Sequence, residues 1–260
     1  MATQALAVNG AKVYIVGRTE EKLERVVEHH GKNIAGEIIP IAADVTSKEE
    51  ITRLVKEIES REKCLCILIN NAGVSGNTQQ VESRSANEMK KNLFNTESSD
   101  FDDWVNTYRT NVPQQFFMST AFLPLLQKAT ESQHGYSGTI INISSISGLV
   151  QSSQHHFSYN ASKAASIQLT KLLAAEIANN GIKVRVNSIA PGVFPSEMTA
   201  GESDQTQKST IPKDEYSHLP AQRPGNDRDM AGAVLFAACN QYLNGQTLVV
   251  DGGYTLHAGT

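Results

Sequence analysis

The sequence carries three cysteines in 260 residues, Cys64, Cys66 and Cys239, an odd number without zinc-ligand spacing. This argues against a disulfide framework or a metal site, and the thiols are expected to be reduced, buried, small hydrophobes. No apolar run comes near the roughly 20 residues that a membrane-spanning helix needs. The first residues also lack the charged-then-apolar order of a secretory signal, so a soluble, cytoplasmic protein is expected. Positive charge is in deficit, with 23 Lys plus Arg against 27 Asp plus Glu. A net charge of −4 and no basic stripe argue against nucleic acid or an anionic membrane as partner. There is no composition shift, internal repeat or low-complexity tract, so one α/β domain spanning 1–260 is the default.

What is present is alternation. After a short helical stretch at Ala5–Ala7, stopped by Asn9-Gly10, comes the β-branched run Ala11–Gly17, with Arg18 just past its end. Residues Thr19–His30 place Leu23, Val26 and Val27 on one helical face. The unit repeats with apolar Ile38–Ala43, then Asp44 and Val45, then Ser47-Lys48-Glu49-Glu50 as a capping box before the stripe Ile51, Leu54, Val55 and Ile58. A third apolar run, Leu65–Ile69, ends in Asn70-Asn71-Ala72-Gly73. Fully apolar strands alternating with amphipathic helices predict a parallel sheet covered on both faces.

Further along, 74–99 is polar and aperiodic and reads as a surface loop with a short helix. A single helix is expected from Asp100 to Lys128, burying Trp104, Val105, Tyr108, Val112, Phe116 and Leu123, with Asn111 on the same face. A buried asparagine is more often a structural hydrogen-bonding residue, unless a site lies beside it. Strands are expected at Thr139–Ile143, Ile182–Ile189 and Gln246–Val250, and helices at Tyr159–Asn180 and Asp227–Asn240. Residues 193–226 carry Pro195, Pro212, Pro220 and Pro224 among polar side chains, and a loop of that length predicts a lid over a substrate site.

The chemistry concentrates between Thr139 and Lys163. A buried strand delivers Ser144 and Ser145, and a helix start carries Tyr159 and Lys163 four apart, on one face. That spacing alone is equally consistent with an exposed helix face. The serine pair and the small residues Ala161, Ser162, Ala164 and Ala165, which permit close approach, favour a site.

Asn70–Gly73, Asn111, Asn142-Ile143-Ser144-Ser145, Tyr159-x-x-x-Lys163, Pro191-Gly192 and Asp251-Gly252-Gly253 stand in the order found in the short-chain dehydrogenases/reductases, which the chain resembles from about Ala5 to Leu256. The resemblance implies a doubly wound, Rossmann-like fold and an oxidoreductase that moves a hydride between a nicotinamide and a carbonyl or hydroxyl carbon. It assigns Ser145 to hold the substrate oxygen, Tyr159 as general acid or base, and Asn111 to hold a water of the proton relay. Lys163 stabilises tyrosinate, lowering a phenol pKa that otherwise lies near about 10, and binds the nicotinamide ribose. The spacing from Ser145 to Tyr159, 14 residues, is one longer than the family pattern leads us to expect.

For the cofactor, the resemblance places Gly17 where NAD-dependent members carry a carboxylate, followed by Arg18. A guanidinium without that carboxylate favours a 2′-phosphate and hence NADP, the alternative being a solvated strand-end arginine. Asp44 and Val45 match adenine-side contacts, the Asn71, Ala72 and Gly73 backbone lies by the cofactor, and Pro191, Gly192 and Ser196 match the carboxamide side. A homo-oligomer acting on a small carbonyl or alcohol is implied. Two other readings stay open: a catalytically silent scaffold, and a dehydratase or epimerase using the same tyrosine.

The chain departs from the family in the length of the 70–111 segment and at its start. The first strand and the Thr-Gly-x-x-x-Gly-x-Gly turn are not present ahead of Ala5. The expectation is that the chain lacks roughly 20 N-terminal residues of the functional protein, through a truncated gene model or a short isoform, which leaves two sheet edges open and weakens NADP binding.

Overall fold

The computed structural model describes residues 1–212, 216–217 and 219–260. Its six strands are β1 (Lys12–Gly17), β2 (Glu37–Ala42), β3 (Ile67–Asn70), β4 (Thr139–Ile143), β5 (Arg185–Pro191) and β6 (Thr247–Val250). All their pairings are parallel. They form two sheets, β1-β2 and β3-β4-β5-β6, so β1 and β3 each leave one edge unpaired among the described residues. In-register pairs such as Asn70 with Asn142 and Ile143 with Ile189 bring the strand ends to one edge.

The helices are α1 (Ala2–Val8), α2 (Glu20–His30), α3 (Lys48–Arg61), α4 (Ala86–Leu93), α5 (Phe101–Asn111), α6 (Pro113–Ser132), α7 (Phe157–Asn179), α8 (Glu197–Ala200), α9 (Asp227–Cys239) and α10 (Tyr254–Ala258). On one face α3, α6 and α7 cover the sheet through Leu54, Ile58, Leu125, Leu126, Leu173 and Ile177. On the other, α1 and α9 pack Leu6, Met230 and Val234 against Ile141 and Ile189. Burial from both sides explains why β4 and β5 are apolar almost throughout. In β1, by contrast, no residue is fully buried.

Capping follows the sequence signals, with one difference at α3. Ser47 accepts from Glu50 N at 3.3 Å, but the reciprocal half of the predicted box is missing because the Glu50 carboxylate pairs with Arg53. The expected helix over 100–128 is two helices. Val112 breaks it at φ −125°, ψ −69°, and Pro113, which has no N–H to donate, starts α6. The expected burial is met at Val112, which is buried, and at Leu123, which packs against the core, but not elsewhere on α5 and the start of α6. Trp104, Val105 and Tyr108 are 44, 58 and 48% exposed, and Phe116 is 42% exposed, while Thr107, Asn111, Gln114, Gln115 and Ser119 are buried. The inward face is polar because its groups bond one another and α7, as Ser166 Oγ does in donating to Gln115 Oε1 at 2.7 Å.

The strand expected at Ile182–Ile189 starts at Arg185 and runs through Pro191. The cysteines are free but not buried: Cys64 and Cys66 are half-buried and Cys239 is exposed, because they lie at element ends outside the core. No helix among the described residues is long and apolar enough to cross a membrane.

Candidate active site

The C-terminal ends of the strands carry nearly every residue singled out in the sequence. Arg18 follows β1, Asp44 and Val45 follow β2, and Asn70–Gly73 close β3. Ser144 and Ser145 follow β4, Pro191-Gly192 ends β5, and Asp251-Gly252-Gly253 follows β6. This is the edge at which ligands bind in open parallel sheets.

The two serines have different duties. Ser144 Oγ is buried, shares a 2.6 Å bond with Ser188 Oγ and donates to Ile189 O at 3.0 Å. Ser145 caps the 3-10 turn Ile146–Gly148, its Oγ accepting from Ser147 N at 3.1 Å, and its hydroxyl hydrogen-bonds the Tyr159 phenol. Gly148 seats that turn on α7: a Cβ there would lie 2.5 Å from the Lys163 carbonyl carbon and 2.6 Å from Ala164 N. The missing side chain thus sets Ser145 opposite the first turns of α7.

Tyr159 and Lys163 project from those turns. Burial pushes the Tyr159 phenol up from its ordinary value, and the Ser145 hydroxyl beside it partly offsets this. Lys163 is 3% exposed, its Nζ donating to Ile143 O at 2.9 Å and lying 5.5 Å from the Tyr159 ring centroid. Burial lowers its ammonium to about 8. The ammonium sits over the ring, and burial outweighs any lowering of the phenol by its charge.

Asn111 is fully buried behind this pair. Its Oδ1 accepts from Val74 N and its Nδ2 donates to Val74 O and Ser162 Oγ, each at 2.9 Å. The side-chain amide is therefore engaged. At the break between α5 and α6, Gln115 N donates to Val112 O at 3.0 Å, which leaves the Asn111 main-chain carbonyl without its helical partner. Gly73 lies against the same group, where a Cβ would come 3.1 Å from Asn111 Oδ1 and 3.5 Å from Lys163 Nζ.

Around this centre the fit is uneven. Asp44 accepts from Thr46 N at 2.9 Å and Thr46 Oγ1 at 2.7 Å, and these bonds, with Arg18 and Arg109 nearby, hold its carboxyl below the usual range. Arg18 itself is exposed. Gly192 packs against Asp251, where a Cβ would come within 2.7 Å of its Cα. Ser196 is not brought to the centre. It is exposed and closes a capping box with Thr199 at the start of α8.

The segment 193–226, except 213–215 and 218, which lie outside the described residues, is tied down at several points. Lys22 Nζ bonds both Glu197 carboxylate oxygens at 2.8 Å, His30 Nε2 meets Thr206 O at 2.7 Å, and Lys208 pairs with Asp227. A cavity of about 280 Å³ between Lys22, Arg25 and Glu197 belongs to this contact and not to the tyrosine centre.

Sequence reasoning missed two neighbours of Tyr159. Ser162 Oγ links Asn111 to the Tyr159 carbonyl, to which it donates at 2.7 Å. The His156 ring packs edge-on against the tyrosine, with centroids 6.4 Å apart and 68° between planes. Burial lowers the His156 imidazole pKa, with His155 adding to the effect. Their spacing of three from Tyr159, one on each side, was the available signal.

Comparison with known proteins agrees with this geometry. A family model described as enoyl-(acyl carrier protein) reductase matches residues 1–255. The short-chain dehydrogenase/reductase PhomF′ of Diaporthe leptostromiformis is 36% identical over 258 residues, 97% of this chain and 86% of that protein. Galactitol 2-dehydrogenase (L-tagatose-forming) of Cereibacter sphaeroides is 32% identical over 256 residues, 97% of this chain and 89% of that one. Among solved structures, the Pseudomonas aeruginosa RhlG/NADP active-site complex superposes with a TM-score of 0.75 at 28% identity, covering 96% of this chain and 89% of that chain. A serine, tyrosine and lysine meeting at the ends of parallel strands therefore have the ancestry their geometry implies: the chain belongs to the short-chain dehydrogenase/reductase family, a family of NAD(P)-dependent oxidoreductases.

Proposed function

We propose that the chain transfers a hydride between NADP and the carbon of a small carbonyl or alcohol, with Tyr159 handling the proton. The observation that carries this reading is the convergence of Ser145, Tyr159 and Lys163 at the strand-end edge, with Asn111 behind them. The residues present fit the nicotinamide end of such a cofactor. Gly73 opens a cradle beside Lys163 and Asn111 that a Cβ would narrow, and Gly192 does the same beside Asp251. Arg18 offers an exposed cation for a 2′-phosphate, and the RhlG relative is an NADP complex. When bound, NADP supplies the hydride donor or acceptor.

The chain's own residues do the rest. Ser145 Oγ, beside the Tyr159 hydroxyl, turns its hydrogen to the substrate oxygen and orients it. Tyr159 gives that oxygen a proton as it becomes an alcohol and takes one back in oxidation. Lys163 in its charged form stabilises the tyrosinate, and the free carbonyl of Asn111 holds a water through which the proton is replaced. With Lys163 near 8, carbonyl reduction is expected to fall as pH rises through about 8, when the cation is lost. A flat profile from pH 6 to 10 counts against the assignment of Lys163. Ser145→Ala and Tyr159→Phe are each expected to lower kcat by at least about 100-fold without changing NADPH affinity, the usual worth of a positioned proton donor or oxygen-binding group. Turnover unchanged in Tyr159→Phe refutes the reading and favours a silent scaffold.

A homo-oligomer is supported by the exposed apolar surface of α5, α6 and α7.

A further inference from the structure

The cations beside and on α2 fall in one row. Arg18, just ahead of the helix, is followed at helical spacing by Lys22, Arg25 and His29. Acidic groups of the 193–226 segment face this row. Lys22 Nζ bonds both Glu197 carboxylate oxygens at 2.8 Å, and Ser203 Oγ donates to Glu197 Oε1 at 2.6 Å. These bonds, with the Arg25 charge nearby, hold the Glu197 carboxyl below its usual range.

The contact that the pair fastens is loosely filled. A cavity of about 280 Å³ lies beside it, lined in part by Arg25, whose Nε is shielded from solvent and has no hydrogen-bond partner among the described residues. Lys22 and Glu197 are themselves 44 and 46% exposed, and an exposed ion pair shifts an equilibrium by no more than about fivefold. The element it holds, α8, is four residues long and ends at Gly201, where a φ of +82° and open space at the Cβ position leave the chain room to turn. Further along, His30 Nε2 meets Thr206 O separately at 2.7 Å. Helix α8 is thus held to α2 by a weak pair and hinged just beyond it.

We propose that Glu197 is an internal competitor of the NADP 2′-phosphate for Lys22, so that binding of NADP, and not of NAD, releases α8 from α2. The proposal rests on the NADP reading of Arg18. Lys22 stands four residues after Arg18, about one turn or 5.4 Å along the helix, a distance that the flexible four-carbon stem of a lysine covers. A phosphate monoester brings about −1.5 to −2 charges and three acceptor oxygens, against one charge and two oxygens on Glu197, and so outcompetes it. Ser196 is the N-cap of α8, so the latch also fixes Ser196 outside the tyrosine centre, and release frees it to approach. Linkage makes the effect reciprocal: the factor by which the phosphate loosens α8 is the factor by which loosening α8 tightens the phosphate.

The test is hydrogen–deuterium exchange of the full 260-residue chain, titrated with adenosine 2′-monophosphate and, as control, adenosine 5′-monophosphate. The 2′-phosphate is expected to speed exchange at the α8 amides Thr199, Ala200 and Gly201 at least about twofold, and the 5′-phosphate to leave it unchanged. Glu197→Gln is expected to exchange rapidly there without nucleotide and to bind the 2′-phosphate about threefold tighter, the worth of one exposed ion pair. Lys22→Met is expected to exchange as rapidly but to bind it more weakly, with no further change on binding. Bound 2′-phosphate with α8 exchange unaltered overturns the proposal. So does Glu197→Gln with loosened α8 and unchanged affinity, which is what a purely structural ion pair gives. If the 2′-phosphate binds no tighter than the 5′-phosphate, or binds Arg18→Ala as well as wild type, the NADP reading of Arg18 fails, and this proposal with it.

Discussion

At the scale of single residues the centre places chemistry and stability in opposition. Lys163 is buried with its Nζ on the Ile143 carbonyl, and burial lowers its ammonium pKa to about 8. A base with a depressed folded-state pKa disfavours folding wherever it is charged. The wild type is therefore expected to gain about 3 kcal/mol of stability as pH rises from 8 to 10.5. Lys163→Met removes the charge, so the variant is expected to be more stable than wild type at pH 7, with the advantage gone above pH 10.5, while turnover is lost. Urea unfolding at the two pH values checks the sign, and a variant less stable at pH 7 contradicts it. The candidate residues Ser145, Tyr159 and Lys163 were legible in the sequence because they stand in the order and near the offsets of the family's motif. The division of labour between Ser144 and Ser145 was not readable from the residues themselves, since it is set by Ser188 and Ile189 on a strand more than 40 residues away.

Among elements, the decisive contact is the 3-10 turn after β4 lying directly on α7. Because the atoms a Gly148 side chain would strike are α7 backbone, they cannot swing aside. Gly148→Ala is expected to cost about 2 kcal/mol or more, in the range of overpacking, and to lower kcat by displacing Ser145 from Tyr159. Unchanged stability and kcat would show that the turn has slack. The outer faces of the helices on this side tell a different story. On α5, Phe101, Trp104, Val105 and Tyr108 recur at helical spacing, and that stripe faces outward, with Phe101 89% exposed. Periodicity revealed that a face is apolar but not which surface covers it, so the sequence reading buried Trp104, Val105 and Tyr108 within the chain. Alongside lies a cavity of about 370 Å³ lined by Phe116, Leu123, Leu169 and Leu172. If a second copy covers this face, Leu172→Glu combined with Trp104→Lys is expected to convert an oligomer into a monomer in light scattering. An unaltered mass would place the interface elsewhere.

For the whole molecule, the alternating pattern predicted the parallel sheet correctly, because burial on both faces imposes apolar strands. What the pattern left unread was long-range: the clamp of the 74–99 segment on the turn before Tyr159, and the anchoring of the 193–226 segment on α2 through Lys22 and His30. Both depend on loops whose contacts have no periodic signature. The central claim is that these parts together move a hydride at Tyr159. Its most direct test follows deuterium from NADPH labelled at nicotinamide C4 into the products of a ketone panel, with and without Tyr159→Phe. The predicted result is label on the carbinol carbon of the alcohol, with transfer at least about 100-fold slower in Tyr159→Phe. Transfer at the same rate without the tyrosine, or no labelled alcohol from any ketone of the panel, would contradict the account.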